Sequence, residues 1–141
     1  GGDDAPVRVR LASEAGAIET GATFRVDVVV ESGRPIDAMD VLLRYAPDRL
    51  VLVDTAGDAT SAVTPGAGLP MVLRNAADGG TVWFSAGQSL PGHPAQGTFT
   101  LFSVGFKALT AIQGDSLPLR LDYASPEATA AYYRGARLPQ G

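Results

Sequence analysis

The stretch Ile36-Asp37-Ala38-Met39-Asp40-Val41-Leu42-Leu43-Arg44-Tyr45-Ala46-Pro47-Asp48-Arg49-Leu50 decides the fold. Met39, Val41, Leu43 and Tyr45 alternate with Ala38, Asp40, Leu42 and Arg44, the period-two pattern of a strand with one buried face. Ala46-Pro47-Asp48 breaks the run with turn residues. The chain then restarts at Leu50 as a short apolar strand to Val53.

The same period recurs on both sides. Val7, Val9 and Leu11 alternate with Arg8, Arg10 and Ala12, and Phe24, Val26, Val28 and Val30 with Arg25, Asp27 and Val29. Met71 to Ala76 and Thr81 to Ala86 flank Asp78-Gly79-Gly80, a hairpin connection because glycine tolerates positive φ. Phe99 to Ala108 reads as a long strand and Leu117 to Tyr123 as another, with Pro118 placing it at an edge or a strand start. Tyr132-Tyr133, then Arg134 to Leu138, reads as a last hairpin with a glycine turn. Thr55 to Gly68 and Gln88 to Gln96 read as loops. The sole helical signal is one turn over Ser125 to Ala131, with Ser125 as N-cap and Pro126 in the first helical position. About nine short strands make an all-β, two-sheet antiparallel sandwich.

Length and composition narrow the function. The 141 residues are enough for one domain with a real core, expected to span residues 1–141. No window approaches the roughly 20 apolar residues of a membrane span. The abrupt Gly1-Gly2-Asp3-Asp4 start looks like that of a trimmed chain or an excised module, so no location is expected to follow from the missing signal peptide. The absence of cysteine removes disulfides, thiolate nucleophiles and zinc-thiolate sites together. The net charge is -4 and the basic residues are scattered, leaving no footprint for nucleic acid or an anionic membrane.

Catalysis fares no better. His93 is the single histidine and sits between Pro91-Gly92 and Pro94, so a Ser-His-Asp triad would have to be built in a proline-rich loop, and no Gly-x-Ser-x-Gly elbow exists. Asp3-Asp4, Asp54 with Asp58, and Asp78 carry clustered oxygens but follow no calcium-loop spacing, so turn chemistry is the expected role of each. The chain reads as a non-enzyme.

In this order the motifs resemble a cohesin domain, the dockerin-binding sandwich of bacterial and archaeal scaffold and cell-surface proteins. The resemblance rests on the Gly-x-x-Phe-x-Val-x-Val strand at Gly21 to Val28, the Asp-x-x-Leu-x-Tyr-x-Pro-x-x-Leu unit at Asp40 to Leu50, the glycine-led Trp83 strand, and Val-x-Phe-Lys-Ala at Val104 to Ala108. It implies a jelly-roll-like topology and a monomeric module of a larger extracellular or cell-surface protein. Its partner would be a dockerin-bearing protein. No cofactor is expected on this chain, because in such a pair the calcium belongs to the dockerin. The chain departs from the family just past Trp83, where Ala86-Gly87-Gln88 is neutral and cohesins often carry acidic residues.

The resemblance also implies that one sheet face meets the dockerin, built from the strands at Ala38 to Tyr45, Met71 to Ala86 and Phe99 to Ala108. Strand alternation then selects the outward residues. They are Ala38, Asp40, Leu42 and Arg44; Leu73 and Asn75; Trp83 and Ser85; and Leu101 and Lys107. Trp83, Leu42 and Leu101 would supply the apolar centre, with Asp40, Arg44 and Lys107 as a charged rim. The competing expectation for Leu42, Leu101 and Trp83 is burial under a loop. A second reading is a carbohydrate-binding module that stacks polysaccharide on Trp83, Tyr123, Tyr132 and Tyr133, although alternation sends Tyr132 and Tyr133 to opposite faces. A third is a structural spacer or adhesion module without a ligand.

Overall fold

The computed structural model describes residues 6–13, 16–88, 93–113, 116–124 and 128–139. Its alternating stretches form β1 (Arg8–Ala12), β2 (Thr23–Ile36), β3 (Ala38–Tyr45), β4 (Leu50–Val53), β5 (Thr64–Pro65), β6 (Met71–Asp78), β7 (Thr81–Gly87), β8 (Ala95–Ala108), β9 (Leu119–Leu121), β10 (Ala130–Tyr133) and β11 (Ala136–Arg137). There is no helix among the described residues. Ala130 and Ala131, expected in a helical turn, are strand, and residues 125–127 of that turn lie outside the described residues.

Two antiparallel sheets result. The five-stranded sheet runs β1-β2-β8-β4, with β5 also on β8; the six-stranded sheet runs β11-β10-β3-β7-β6, with β9 also on β3. In each sheet one strand is interrupted. The chain leaves β8 after Val53, loops through 54–63 and returns to the same edge of β8 as β5. It leaves β3 after Leu121 and returns to β3 as β10. The eleven strands among the described residues exceed the about nine expected, and β5 falls in the Thr55 to Gly68 stretch that reads as a loop.

Aspartate starts both excursions for a local reason. Asp54 Oδ1 accepts hydrogen bonds from the Ala56 and Asp58 N–H groups, and Asp122 Oδ1 accepts one from Ala124 N–H. Each satisfies backbone donors that have just lost their ladder partners. Asp54 therefore performs the turn chemistry expected of it.

The core lies between the sheets. Val26, Val28 and Val30 of β2 pair with Val104, Phe102 and Phe99 of β8, so one continuous apolar strip faces inward. Met39, Val41, Leu43, Val82 and Phe84 face it from the other sheet. Ring contacts cross between the layers, Phe84 on Phe102 at 4.6 Å and Tyr45 on Phe106 at 5.2 Å. The hairpins also form as expected. Gly79 and Gly80 take φ of +56° and +90°, and Arg134 and Gly135 take +50° and +80°, the doubly left-handed turn that matches strand twist.

Leu101 corrects the sequence reading. Val28 pairs with Phe102 and Val29 with Thr100, so Leu101 is an extra residue in β8. A bulge of this kind turns two consecutive side chains to one side. Both Leu101 and Phe102 enter the core, and Leu101 is 0% exposed. Moreover, β8 lies in the sheet opposite β3, β6 and β7, so neither Leu101 nor Lys107 shares their face.

On the outer face of the five-stranded sheet, Asp27 pairs across β2 and β8 with Ser103, whose Oγ donates to Asp27 Oδ1 at 2.7 Å, and accepts from Arg25 Nε at 2.8 Å. Partial burial pushes the Asp27 carboxyl up, but those hydrogen bonds and the Arg25 charge outweigh it, and its pKa falls below the ordinary 3.8. A depressed carboxylate stabilises the fold above its unfolded pKa and loses that contribution as pH falls through the folded value.

Two outcomes follow for stability. Leu101→Ala should cost about 2–5 kcal/mol in chemical denaturation, as for a core leucine, rather than the roughly 0.5 kcal/mol or less of a surface site. Asp27→Asn should lower the melting temperature at pH 7, and its gap from the parent protein should close as the pH is taken below about 3.8, followed by thermal melts across pH.

Candidate functional site

The register of the six-stranded sheet fixes which side chains share its outer surface, because residues directly opposite in an antiparallel pair point the same way. Met39, Val41 and Leu43 point inward, so Ala38, Asp40, Leu42 and Arg44 point out. Reading across the pairs gives four rows. The first is Arg137, Tyr132, Ala38, Gly87 and Met71. The second is Ala130, Asp40, Ser85 and Arg74. The third is Leu42, Trp83 and Ala76. The fourth is Arg120, Arg44, Thr81 and Asp78. With strands about 4.8 Å apart and alternate residues about 6.8 Å apart, the face measures roughly 20 Å each way.

The polar groups on it are oriented by one another. Ser85 Oγ donates to Asp40 Oδ1 at 2.8 Å. Arg44 Nε donates to Asp122 Oδ2 at 2.9 Å, and Arg44 Nη1 to Thr81 Oγ1 at 3.1 Å. The Asp122 side chain is only 6% exposed and the Arg44 side chain 39%, so the pair is anchored at its acidic end and open to solvent at its basic end. The Arg74 guanidinium lies over the half-buried Trp83 indole, 5.0 Å from its ring centre, a cation–π contact between β6 and β7.

Leu42 faces outward as expected but is 1% exposed. It stands where β9 has ended and β10 has not begun. Trp83 is opposite it on β7. On its other side Asp122 N–H donates to Leu42 O at 2.8 Å, and Leu42 N–H donates to Thr129 Oγ1 at 3.1 Å. The two ends of the second excursion are thus bonded to the middle of β3, and the leucine is sealed beneath the face instead of being offered on it.

Of the ten residues expected on the docking face, Ala38, Asp40, Arg44, Trp83 and Ser85 are together and accessible in part. Leu42 is sealed, and Leu101 and Lys107 belong to the other sheet. Asn75 pairs with Phe84 and points inward, where its Oδ1 accepts from Val63 N–H and its Nδ2 donates to Val63 O, both at 2.8 Å. It clips the first excursion to the sheet. Leu73 is 66% exposed, but at a bulge on the edge strand, since Val72 pairs with Ala86 and Arg74 with Ser85. That extra residue reverses the alternation of β6. Arg74 and Ala76 therefore join Met71 on the face, and no single period-two pattern along β6 would have selected all three. Tyr132, Arg120 and Arg137 join them through pairings that only the fold defines.

Tyr132 lies on the outer face, while Tyr133 packs against the core. Tyr123 is exposed beyond β9, and Tyr132 stands two rows and two strands from Trp83. The aromatic residues form no flat row on which sugar rings could stack. His93 is exposed. Among the described residues no three His, Cys, Asp or Glu side chains gather as metal ligands would. A groove of about 530 Å³ opens on the other sheet, beside Gly105, where a Cβ would stand 2.7 Å from Val53 O. Its charged lining residues, Arg25 and Asp54, are held by Asp27 and by backbone N–H groups.

No protein-family model matches the chain, and no curated protein sequence does. Solved structures do match over almost its whole length. A type II cohesin domain from the cellulosome of Acetivibrio cellulolyticus superposes with a TM-score of 0.76 at 18% identity, covering 97% of this chain and 90% of that one. The chain has the cohesin fold. Type II cohesin A11 of Bacteroides cellulosolvens gives a TM-score of 0.77 at 16% identity, over 94% of this chain and 91% of its own. A cohesin from a type II cohesin–X-dockerin complex of A. cellulolyticus gives 0.66 at 15%, over 96% and 92%.

The latch on Leu42 is testable. Thr129→Val removes the acceptor for a buried N–H and should cost about 1–3 kcal/mol in stability. Amide hydrogen exchange should quicken at Leu42 and leave the β2–β8 ladder unchanged.

Proposed function

We propose that this cohesin-fold chain is a single, non-catalytic module that docks a calcium-loaded dockerin through the outer face of β10, β3, β7 and β6. The observation that carries the reading is the face itself. It presents a half-buried tryptophan in cation–π contact with Arg74, an Asp40–Ser85 pair and an Arg44 fixed by Asp122, with Trp83, Asp40, Ser85 and Arg44 all on the middle strands of a sheet. A preorganised aromatic anchor inside a polar rim is the anatomy of an interface hot spot. A solved neighbour with the same fold forms a cohesin–X-dockerin complex, which supports the choice of partner.

The calcium in this pairing belongs to the dockerin, and this chain contributes side chains only. The scaffoldin and cellulosome origin of its neighbours supports an extracellular or cell-surface setting. Within the face, Trp83 supplies apolar area at the centre. Asp40 accepts hydrogen bonds from the partner with its second carboxylate oxygen, and Arg44 orients the docking helix.

Calorimetry with dockerins from the same organism should give binding at micromolar affinity or tighter in calcium and none in chelator. Trp83→Ala should weaken it by about 2 kcal/mol or more while the thermal melt stays cooperative. An unchanged affinity would place the contact elsewhere.

A further inference from the structure

We infer that the docking face selects a partner whose contacting surface is acidic. The inference rests on the docking reading above and adds the chemistry of the partner. It comes from the distribution of charge. The chain as a whole carries 11 Lys and Arg against 15 Asp and Glu, a net charge of -4. The four rows of the outer face invert that balance. They hold Arg44, Arg74, Arg120 and Arg137, and just two carboxylates, Asp40 and Asp78. A third, Asp122, lies buried beside them with its charge spent on Arg44.

Position matters as much as number. Arg137 closes the first row beside Tyr132, Arg74 closes the second beside Ser85, and Arg120 closes the fourth beside Arg44. All three are exposed. Arg137 and Arg120 therefore stand at two corners of a face roughly 20 Å across and Arg74 on its β6 edge, around Trp83 and Ala76, with Met71 and Asp78 at the other two corners. A docked surface that buries Trp83 must bring its own rim over these arginines. Carboxylates there gain planar guanidinium partners, whereas lysines or arginines would meet like charge across a partly desolvated gap. The face is also oriented by its charge, because the one acidic corner makes the two directions of an approaching helix unequal.

The test uses a dockerin that binds in the calorimetry above, prepared in two versions with glutamates or lysines at the exposed positions of its contacting helices. The glutamate version should bind more tightly, and its affinity should fall steeply as NaCl is raised. Arg120→Glu with Arg137→Glu should weaken that version by roughly tenfold or more and should favour the lysine version, an exchange of preference that a loss of folding cannot produce. Lys107→Glu, on the opposite sheet, should change nothing. Equal binding of both versions, or a double variant that binds as the parent does, overturns the acidic-partner inference and leaves the docking face in place. Binding of no dockerin in calcium overturns the docking reading and this inference with it.

Discussion

The ladder between β2 and β8 is the constraint on which the rest of the structure depends. These are the two longest strands, and their pairing runs from Thr23 with Lys107 to Ile36 with Ala95. It places three valines of one strand against Val104, Phe102 and Phe99 of the other, so the five-stranded sheet has one apolar face that must be covered. The six-stranded sheet covers it with Phe84 and Tyr45, which meet Phe102 and Phe106. Once the inner faces are matched, alternation leaves the outer face of β3 and β7 no freedom. The position of Trp83 on the surface is set by the burial of Phe84 and Val82 on either side of it.

The two interrupted strands turn this scaffold into a shaped surface. Each excursion begins at an aspartate that satisfies the freed backbone donors, and each is tied back to a central element. Asn75 holds the first through Val63, and Thr129 and Asp122 hold the second against Leu42. The second has the larger consequence. It seals an apolar residue that would otherwise be exposed in the middle of the sheet, and its Asp122 orients Arg44 from below. The face is thereby less greasy and better ordered than a bare sheet of this sequence would be. That suits the proposed docking role, in which a surface binds without rearranging.

Much of this was legible in the sequence. The unit at Asp40 to Leu50 fixed the strand, turn and restart of β3 and β4, and Gly79-Gly80 and Arg134-Gly135 marked both hairpins. The outward placement of Trp83, Ser85, Asp40 and Arg44 followed from period two, because β3 and β7 pair without irregularity. Two of the errors share one physical source. Alternation is a parity rule, and a single extra residue reverses it. The bulge at Leu101 sent a supposed surface anchor into the core, and the bulge at Leu73 exchanged Asn75 for Arg74 on the face. Bulges leave no mark in composition, since the extra leucine in each case is a normal strand residue. Sheet membership was equally hidden: β8 looks like a neighbour of β7 along the chain yet crosses to the other layer. The sealing of Leu42 depends on Thr129, which lies 87 residues away.

The central claim is that one face of one sheet carries the contact. Amide and indole chemical shifts of this chain, followed during titration with a calcium-loaded dockerin, test it most directly. The account predicts movement at Asp40, Arg44, Arg74, Ala76, Ser85 and the Trp83 indole N–H, with Arg25, Val51 and Lys107 unmoved. Shifts confined to the outer face of β2, β8 and β4 would contradict it.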